Sequence, residues 1–467
     1  MYYNKLILTL VTMACFHAQV WSQCPTGDVF LLYQSQVDSF EILYPDCDSA
    51  EVAIWVSDDL LDASDRILNL EGLGNLKYIQ TLRISTEELL DLSGLEALEG
   101  LGTLTIEFNS ALEDISALSD IESLSNLSIR RNANVKSLPE FTNLDSINLI
   151  NIESNDMLTF QLTGLDNIQY LNTLRITGLF DTVSLANIKH LGTLVLSKND
   201  SITNFNDVIG FSEKFGSAQS IEIAAMDTFS AVGLESFSKL TQILKFSRIE
   251  NLNLNGISPL NLEYFEINNC GGIESTLPLL NCQIEEIRFS SLERIKNLDG
   301  LADNRALRIL TAIGNDSLID IQGIMNASEL EKVILRNSPM LSYCHVRSVC
   351  DIIRMDTSQI AVLVRGNAPG CNTWEEVQDA CISPVKTEVK PTQLVLYPNP
   401  VTDILYLDEW AYPRDAEYWI FNYLGELSKS GVLSDSNEIY ISDLQSGSYL
   451  IQLRVADQIS VGRFVKI

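Results

Sequence analysis

A repeat constrains this chain more than any other feature. A Leu-x-Ile-like step begins at Leu82 and again at Leu104, Leu127, Ile150, Leu174, Leu194, Ile221, Leu244, Phe265, Ile287, Leu310 and Val333. Successive steps lie 20 to 27 residues apart. Periods of this size mark stacked supersecondary units that bury a continuous core only against their neighbours. The expected architecture is a solenoid, which offers a long surface for binding. Between Phe211 and Phe246 the register stays open.

A finer spacing runs inside each repeat. Ile106 is followed by Asn109, Leu112, Ile115, Leu118, Ile121, Leu124 and Leu127. An apolar residue at every third position fits neither a plain strand nor a plain α-helix. It fits a short strand, a tight turn and a 3₁₀ or single-turn helical return. Asn109, Asn132, Asn155, Asn199 and Asn315 each precede an apolar residue by three positions. An amide both donates and accepts, so these side chains are expected to satisfy turn backbone and to play no catalytic part.

Each step should form a strand of one parallel sheet, with its first and third side chains inward. The residue between them, and those just before and after, make three outward columns. These columns carry Arg83, Arg130, Arg175, Lys245, Arg288, Lys332 and Arg336 against Glu107, Glu153, Glu222, Glu266 and Glu286, a surplus of two positive charges. The whole chain has 31 basic and 62 acidic residues, a net charge of −31. The sheet face is therefore less acidic than the rest. One reading makes it a binding face for an acidic glycan or protein, with Arg83, Arg130, Arg175, Lys245 and Arg288 as ligand-binding candidates. The other is cross-strand charge pairing between neighbouring rungs. The overall acidity suits solubility in salty surroundings and argues against nucleic-acid binding.

The ends of the chain speak to its destination. Residues 1–22 read as a secretory signal peptide, with Lys5, an apolar run from Leu6 to Cys15 and a cleavage site after Ser22. That run is too short to span a membrane, and no later stretch is long and apolar enough. The segment before Cys15 is a poor lipobox, so cleavage is expected rather than lipid attachment. Eight cysteines follow: Cys24, Cys47, Cys270, Cys282, Cys344, Cys350, Cys371 and Cys381. An even count in an exported chain points to disulfides rather than metal. The expected pairs are Cys24–Cys47, Cys270–Cys282, Cys344–Cys371 and Cys350–Cys381, although spacing alone does not fix the pairing. A zinc site lacks well-placed histidines and any Cys-x-x-Cys, so no metal and no cofactor are expected.

A polar, proline-flanked linker at 383–392 introduces a separate tail at 393–467. Short alternating strands between Gly, Asn and Asp turns predict a small all-β sandwich there. Tyr397-Pro398-Asn399-Pro400, Gly425 in a Leu-Gly-Glu turn, Gly447 and Tyr449 in a Gly-x-Tyr element, and the terminal Lys-Ile recur in a known order. The tail resembles the type A sorting domain of the type IX secretion system of Bacteroidetes. That resemblance implies passage through the periplasm and recognition by an outer-membrane translocon. It further implies removal of the tail by a sortase, with the cargo either secreted or left on the cell surface.

The repeat region resembles leucine-rich repeats, particularly the looser receptor L-domain type. The cysteine-bearing ends and the exit segment from Arg365 to Cys371, followed by Trp374, Val377 and Cys381, carry that resemblance. It implies an α/β solenoid with one parallel β-sheet and short 3₁₀ or helical returns. The expected layout is an N-terminal cap at 23–81, the solenoid at 82–343 and a cysteine-rich C-terminal cap at 344–382. The function expected is a secreted or surface binding protein, recognising a protein or glycan through its sheet face.

An enzyme is not expected. The mature chain holds only His190 and His345, with no GxSxG, HExxH or phosphate-binding glycine loop. Acidic pairs such as Asp58-Asp59, Glu87-Glu88 and Glu285-Glu286 read as solvated surface in so acidic a chain. The alternatives are a parallel β-helix polysaccharide-degrading enzyme and a structural surface-layer protein.

Overall fold

The computed structural model describes residues 24–58, 63–153, 160–185, 187–209, 218–234, 242–257, 259–355, 360–382, 394, 396–407, 416–433, 438–455 and 458–467. The expected signal peptide, the linker, Asn155 and Leu158 lie outside them. Among the described residues, one sheet holds fifteen strands in chain order and the helices are few. This is a solenoid-like α/β architecture. The described residues fall into two compact units. Met1–Phe229, Ser236–Leu252 and Asn261–Cys270 bound the first; Ser230–Glu235, Asn253–Leu260 and Gly271–Ile467 bound the second.

In the first unit the expected register holds. Leu82 sits opposite Leu104, Leu104 opposite Leu127, Leu127 opposite Ile150, Ile150 opposite Leu174, Leu174 opposite Leu194 and Leu194 opposite Ile221, all in parallel pairs. The first and third residues of these steps are buried, as period-two alternation requires. The sheet also reaches into the segment read as a cap. Strands Val29–Leu31 and Ser49–Ser57 pair in parallel with each other, and the second pairs with Tyr78–Ser85, setting Phe30 opposite Trp55 and Trp55 opposite Arg83.

The returns follow the three-residue spacing. Leu89, Leu92, Leu95, Leu98 and Leu101 are all buried, and 3₁₀ turns occur at Glu71–Leu73, Ser116–Leu118 and Phe205–Asp207. Three returns also carry an extended segment, one of them directly after the turn at Phe205–Asp207. Phe160–Leu162, Phe180–Ser184 and Val208–Ile209 form a second, three-stranded sheet. The physical reason is composition: these segments are rich in Phe, Val, Ile and Thr, which fit a pleated surface better than a tight turn.

The asparagines do what the spacing predicted. Asn109 is fully buried; its Oδ1 accepts from the Thr86 amide at 2.7 Å, and its Nδ2 donates to Ile84 O at 3.1 Å. Its own amide donates to Oδ1 of Asn132 at 3.1 Å, which carries the ladder to the next rung. In the second unit Asn315 accepts from Leu292 N and donates to Phe289 O, both at 3.1 Å.

Strands Gln283–Ser290, Ile309–Ile313, Lys332–Arg336 and Val362–Arg365 belong to the second unit, with Ile287 opposite Leu310 and Leu310 opposite Val333. The 3₁₀ returns pack backbone on backbone. A Cβ on Gly300 would lie 1.7 Å from Thr276 O, and one on Gly323 1.8 Å from Leu298 O, so only glycine fits. Helices Arg347–Met355 and Trp374–Ile382 follow the repeats.

Disulfides join Cys24 to Cys47, Cys344 to Cys371 and Cys350 to Cys381. The fourth expected bridge does not form: Cys270 and Cys282 are buried thiols outside any disulfide. Cys270 lies two residues past the strand Asn261–Asn268 and five after Phe265, at the place where Asn109 and Asn315 stand in their rungs. Its Sγ reaches Asn268 O at 3.4 Å, and burial pushes the thiol up to about 11. Cys282 immediately precedes the strand Gln283–Ser290. Cys282 Sγ reaches Ile257 O at 3.7 Å, so each thiol is turned to a backbone carbonyl in place of the other cysteine.

The tail folds as two antiparallel sheets of three and four strands over a core that includes Leu405, Ile420, Ile439, Ile451 and Phe464.

Candidate functional site

The outward side of the sheet in the first unit holds most of the residues singled out by sequence. Arg83 and Arg130 converge on Glu107 from neighbouring strands. Arg130 Nη2 lies 2.5 Å from Glu107 Oε2, and Arg83 Nη2 contacts the other oxygen. The Glu107 side chain is 3% exposed, while each arginine keeps 39% of its side chain in solvent. Two guanidinium groups thus share one carboxylate.

The remaining candidates do not join this cluster. Arg175 is exposed, between Asn151 and Val195 on the flanking strands. It stands four strands from Arg83, about 19 Å away at the usual inter-strand spacing. Lys245 holds its Nζ 5.4 Å above the Tyr264 ring, opposite Glu266. In the second unit, Arg288 donates from Nε to Ser290 Oγ at 3.4 Å. Cross-strand pairing therefore accounts for much of the charge on the face, while Arg175 stays turned to solvent.

Two residues on this face were missed. Phe30 and Trp55 stack with ring centres 5.9 Å apart and planes inclined by 19°. Arg83 places its guanidinium carbon 4.9 Å from the Trp55 ring. Phe30, Trp55 and Arg83 thus form one column across three strands. The signal was present: Ile54-Trp55-Val56 has the same inward-outward-inward form as Leu82-Arg83-Ile84. Its 28-residue spacing hid it.

Beside the arginines runs a ladder of amides and hydroxyls. Asn126 donates to Thr103 Oγ1 at 3.2 Å, Asn148 to Asn126 Oδ1 at 2.9 Å and Asn172 to Asn148 Oδ1 at 3.1 Å. Asn151 donates to Ser128 Oγ at 3.2 Å.

Of the acidic pairs, Glu87, Glu88 and Glu285 are exposed as a solvated surface requires, Asp59 lies outside the described residues, and Asp58 departs from that reading. Asp58 is 2% exposed and accepts from Glu87 N at 3.0 Å; Arg66 reaches both Asp58 and Glu87. Burial raises the Asp58 carboxyl, and the Glu87 amide and Arg66 oppose the rise. Glu285 pairs with Arg308 at 3.5 Å. His345 lies against Tyr343 at 4.2 Å, and burial lowers its imidazole.

Asp299 is pushed up to about 7, first by burial and then by the nearby Asp320 carboxylate. Gln452 donates to its Oδ2 at 3.2 Å. The folded protein therefore holds this proton more tightly than the unfolded chain does. Stability falls as pH rises from about 4 to about 7, and the deficit is complete above that window. Asp299→Asn should melt higher than the parent at pH 8 and alike at pH 4, with a ceiling of about 4 kcal/mol. Equal shifts in melting temperature at the two pH values would refute the coupling.

In the tail, the residues carrying the sorting resemblance lie in turns and paired strands. Asn399 bridges strand backbone, donating to Arg463 O at 3.0 Å and accepting from Val465 N at 2.9 Å. Tyr397 stacks on Tyr406 at 5.8 Å, and Tyr449 on Phe464 at 5.5 Å. Gly425 adopts a positive φ of 79° in the turn after Asn422, while Gly447 opens the strand Gly447–Val455. Pro398 and Pro400 flank Asn399.

Residues 395–467 match the secretion system C-terminal sorting domain family. No curated protein matches the chain. The tail makes this a cargo of the type IX secretion machinery, secreted or attached at the outer-membrane surface. Among the described residues no helix is long and apolar enough to cross a membrane.

Proposed function

We propose that the repeats are a non-catalytic recognition module of leucine-rich, receptor L-domain type. The sorting tail delivers it to the cell exterior, and there it binds a ligand through the outward side of its sheet. The observation that carries this reading is the outward run of Phe30, Trp55, Arg83, Arg130 and Arg175, exposed at its two ends and half-buried between them, on one sheet face of a chain with net charge −31. A local positive surplus on so acidic a protein favours an acidic partner and rejects most others. The single large sheet and the buried asparagine ladder support the leucine-rich reading. A sortase is the partner that removes the tail.

The test is an array of glycans and surface proteins, probed with the secreted protein at low and high salt. A variant with Arg83, Arg175 and Arg288 changed to Ala is run beside it. Salt-sensitive binding to one ligand class, lost in the variant, supports the module. Shortened polysaccharide chains on incubation would overturn it in favour of a β-helix-type degrading enzyme, a reading favoured by the second small sheet. Self-assembly into layers with no ligand bound would replace it with a structural role.

A further inference from the structure

We propose that the Phe30–Trp55–Arg83 column is a docking platform for a carboxylated polysaccharide, which then extends along the amide ladder toward Arg175. The inference rests on the sheet-face reading above and gives it a ligand class and a starting point.

Three observations meet here. The first is the aromatic stack. Phe30 belongs to the short first strand of the sheet, which pairs on one side only, and 55% of its surface is exposed. Trp55 is clamped between that ring and the Arg83 guanidinium, so the aromatic face left open is the outer face of Phe30. An aromatic ring has a negative face, and the axial C–H bonds of a sugar ring present weakly positive hydrogens to it. The clamp holds the rings in place before any ligand arrives, so little freedom is lost on binding.

Charge is the second. Arg83 and Arg130 share one buried carboxylate, which leaves one positive charge in excess and two partly exposed guanidinium groups. A sugar carboxylate can accept hydrogen bonds from those exposed edges. The Nε of Arg130 and the Nε1 of Trp55 are shielded donors without an acceptor among the described residues. Such donors are uncommon in folded proteins; Arg66 and Asn199 hold others elsewhere, and this pair lies beside the stack and the shared carboxylate.

The chemistry of the neighbouring surface is the third. Thr103, Asn126, Ser128, Asn148, Asn151 and Asn172 offer amides and hydroxyls, the groups that exchange hydrogen bonds with sugar hydroxyls. Protein partners are instead held by buried apolar anchors at the centre of an interface, and this stretch supplies polar groups in their place. From the Phe30 strand to the Arg175 strand the face spans six inter-strand steps, about 29 Å, which suits an extended chain rather than a single sugar.

The test uses the secreted full chain with polygalacturonate as the probe, dextran as its neutral counterpart and heparin as a sulfated one. Phe30→Ala is the main variant; its side chain is mostly exposed, and melting temperature verifies that it folds. Binding to polygalacturonate that weakens with salt, is absent for dextran and is about tenfold weaker in Phe30→Ala supports the platform. Undiminished binding by Phe30→Ala overturns it, and so does equal binding of dextran. Stronger binding of heparin than of polygalacturonate overturns the carboxylate assignment. If an array ligand is lost in the Arg83, Arg175 and Arg288 variant yet kept by Phe30→Ala, the platform is wrong while the sheet-face module stands. If no ligand depends on either variant, both fall.

Discussion

Replacing Asn109 by leucine should destabilise the repeats by about 4 kcal/mol, since roughly 1 to 3 kcal/mol attaches to each buried polar group left without a partner. Leucine keeps the branched skeleton of asparagine and removes every hydrogen bond, and its greater bulk adds to the cost in a packed site. The Asn109 Oδ1 accepts from Thr86 N at 2.7 Å and Thr86 Oγ1 at 2.9 Å. Its Nδ2 lies within reach of Ile84 O and Glu107 O at 3.1 Å and Asn132 Oδ1 at 2.8 Å. The substitution strands the Thr86 amide and the Ile84 carbonyl in a site with no access to water. Asn134→Leu is the matched control: that amide is exposed, and its bond to Ser110 O at 2.9 Å can be replaced by solvent. Repeat proteins open rung by rung, so a single melting curve can hide a local effect. Hydrogen exchange resolves it. Amides of strands Tyr78–Ser85, Gly100–Glu107 and Ser123–Arg130 should lose protection in Asn109→Leu and keep it in Asn134→Leu. Matching loss in both would show that the ladder adds nothing beyond shape.

The same residues show how much of the fold could be read in advance. The steps from Leu82 to Val333 were legible because burial on one side of a strand forces a period of two, and stacking forces a fixed return length. The turn asparagines were legible because few side chains both donate and accept within a buried bend. What failed was pattern matching where one residue type served two purposes. Cys270 looked like half of a bridge because it was counted among cysteines; in the structure it fills the turn position of the asparagines, as a small group that touches backbone oxygen. The extended returns at Phe160–Leu162 and Phe180–Ser184 were missed because a three-residue spacing does not separate a 3₁₀ turn from a short strand. At the site, the basic residues of the face were visible as a column, but not which of them would share a carboxylate. Arg83 and Arg130 stand in different columns, on the two strands that flank the Glu107 strand, and only the register places Glu107 between them. Phe30 and Trp55 escaped because they lie before the regular spacing begins.

Removing the Cys344–Cys371 bridge by changing both residues to Ser should lower stability by about 3.5 kcal/mol, the closure entropy of its loop in the unfolded chain. The loop spans 27 residues. The argument for a large effect is not entropy alone. A stack of rungs leaves its last rung with core on one side and water on the other, so the end must be covered. Here the covering is a short strand, Val362–Arg365, that pairs with Lys332–Arg336, and a turn in which Asn367 donates to Leu335 O and to Cys371 O, both at 2.9 Å. Ser338 N in turn donates to the Asn367 amide oxygen at 3.0 Å. Cys344 and Cys371 are fully buried beneath this turn, so the bridge ties the last rung to its cover. Without it the strand can peel away and expose a sheet edge, which invites association between molecules. Two readouts follow. Thiol reductant should lower the melting temperature of the parent, and lower that of the Cys344→Ser/Cys371→Ser variant less. Light scattering on heating should rise earlier in the variant. Cys282→Ser, which alters a buried thiol but no bridge, should leave the response to reductant unchanged. A parent protein whose melting and scattering ignore reductant would mean that the cover is held by the Asn367 network and packing alone.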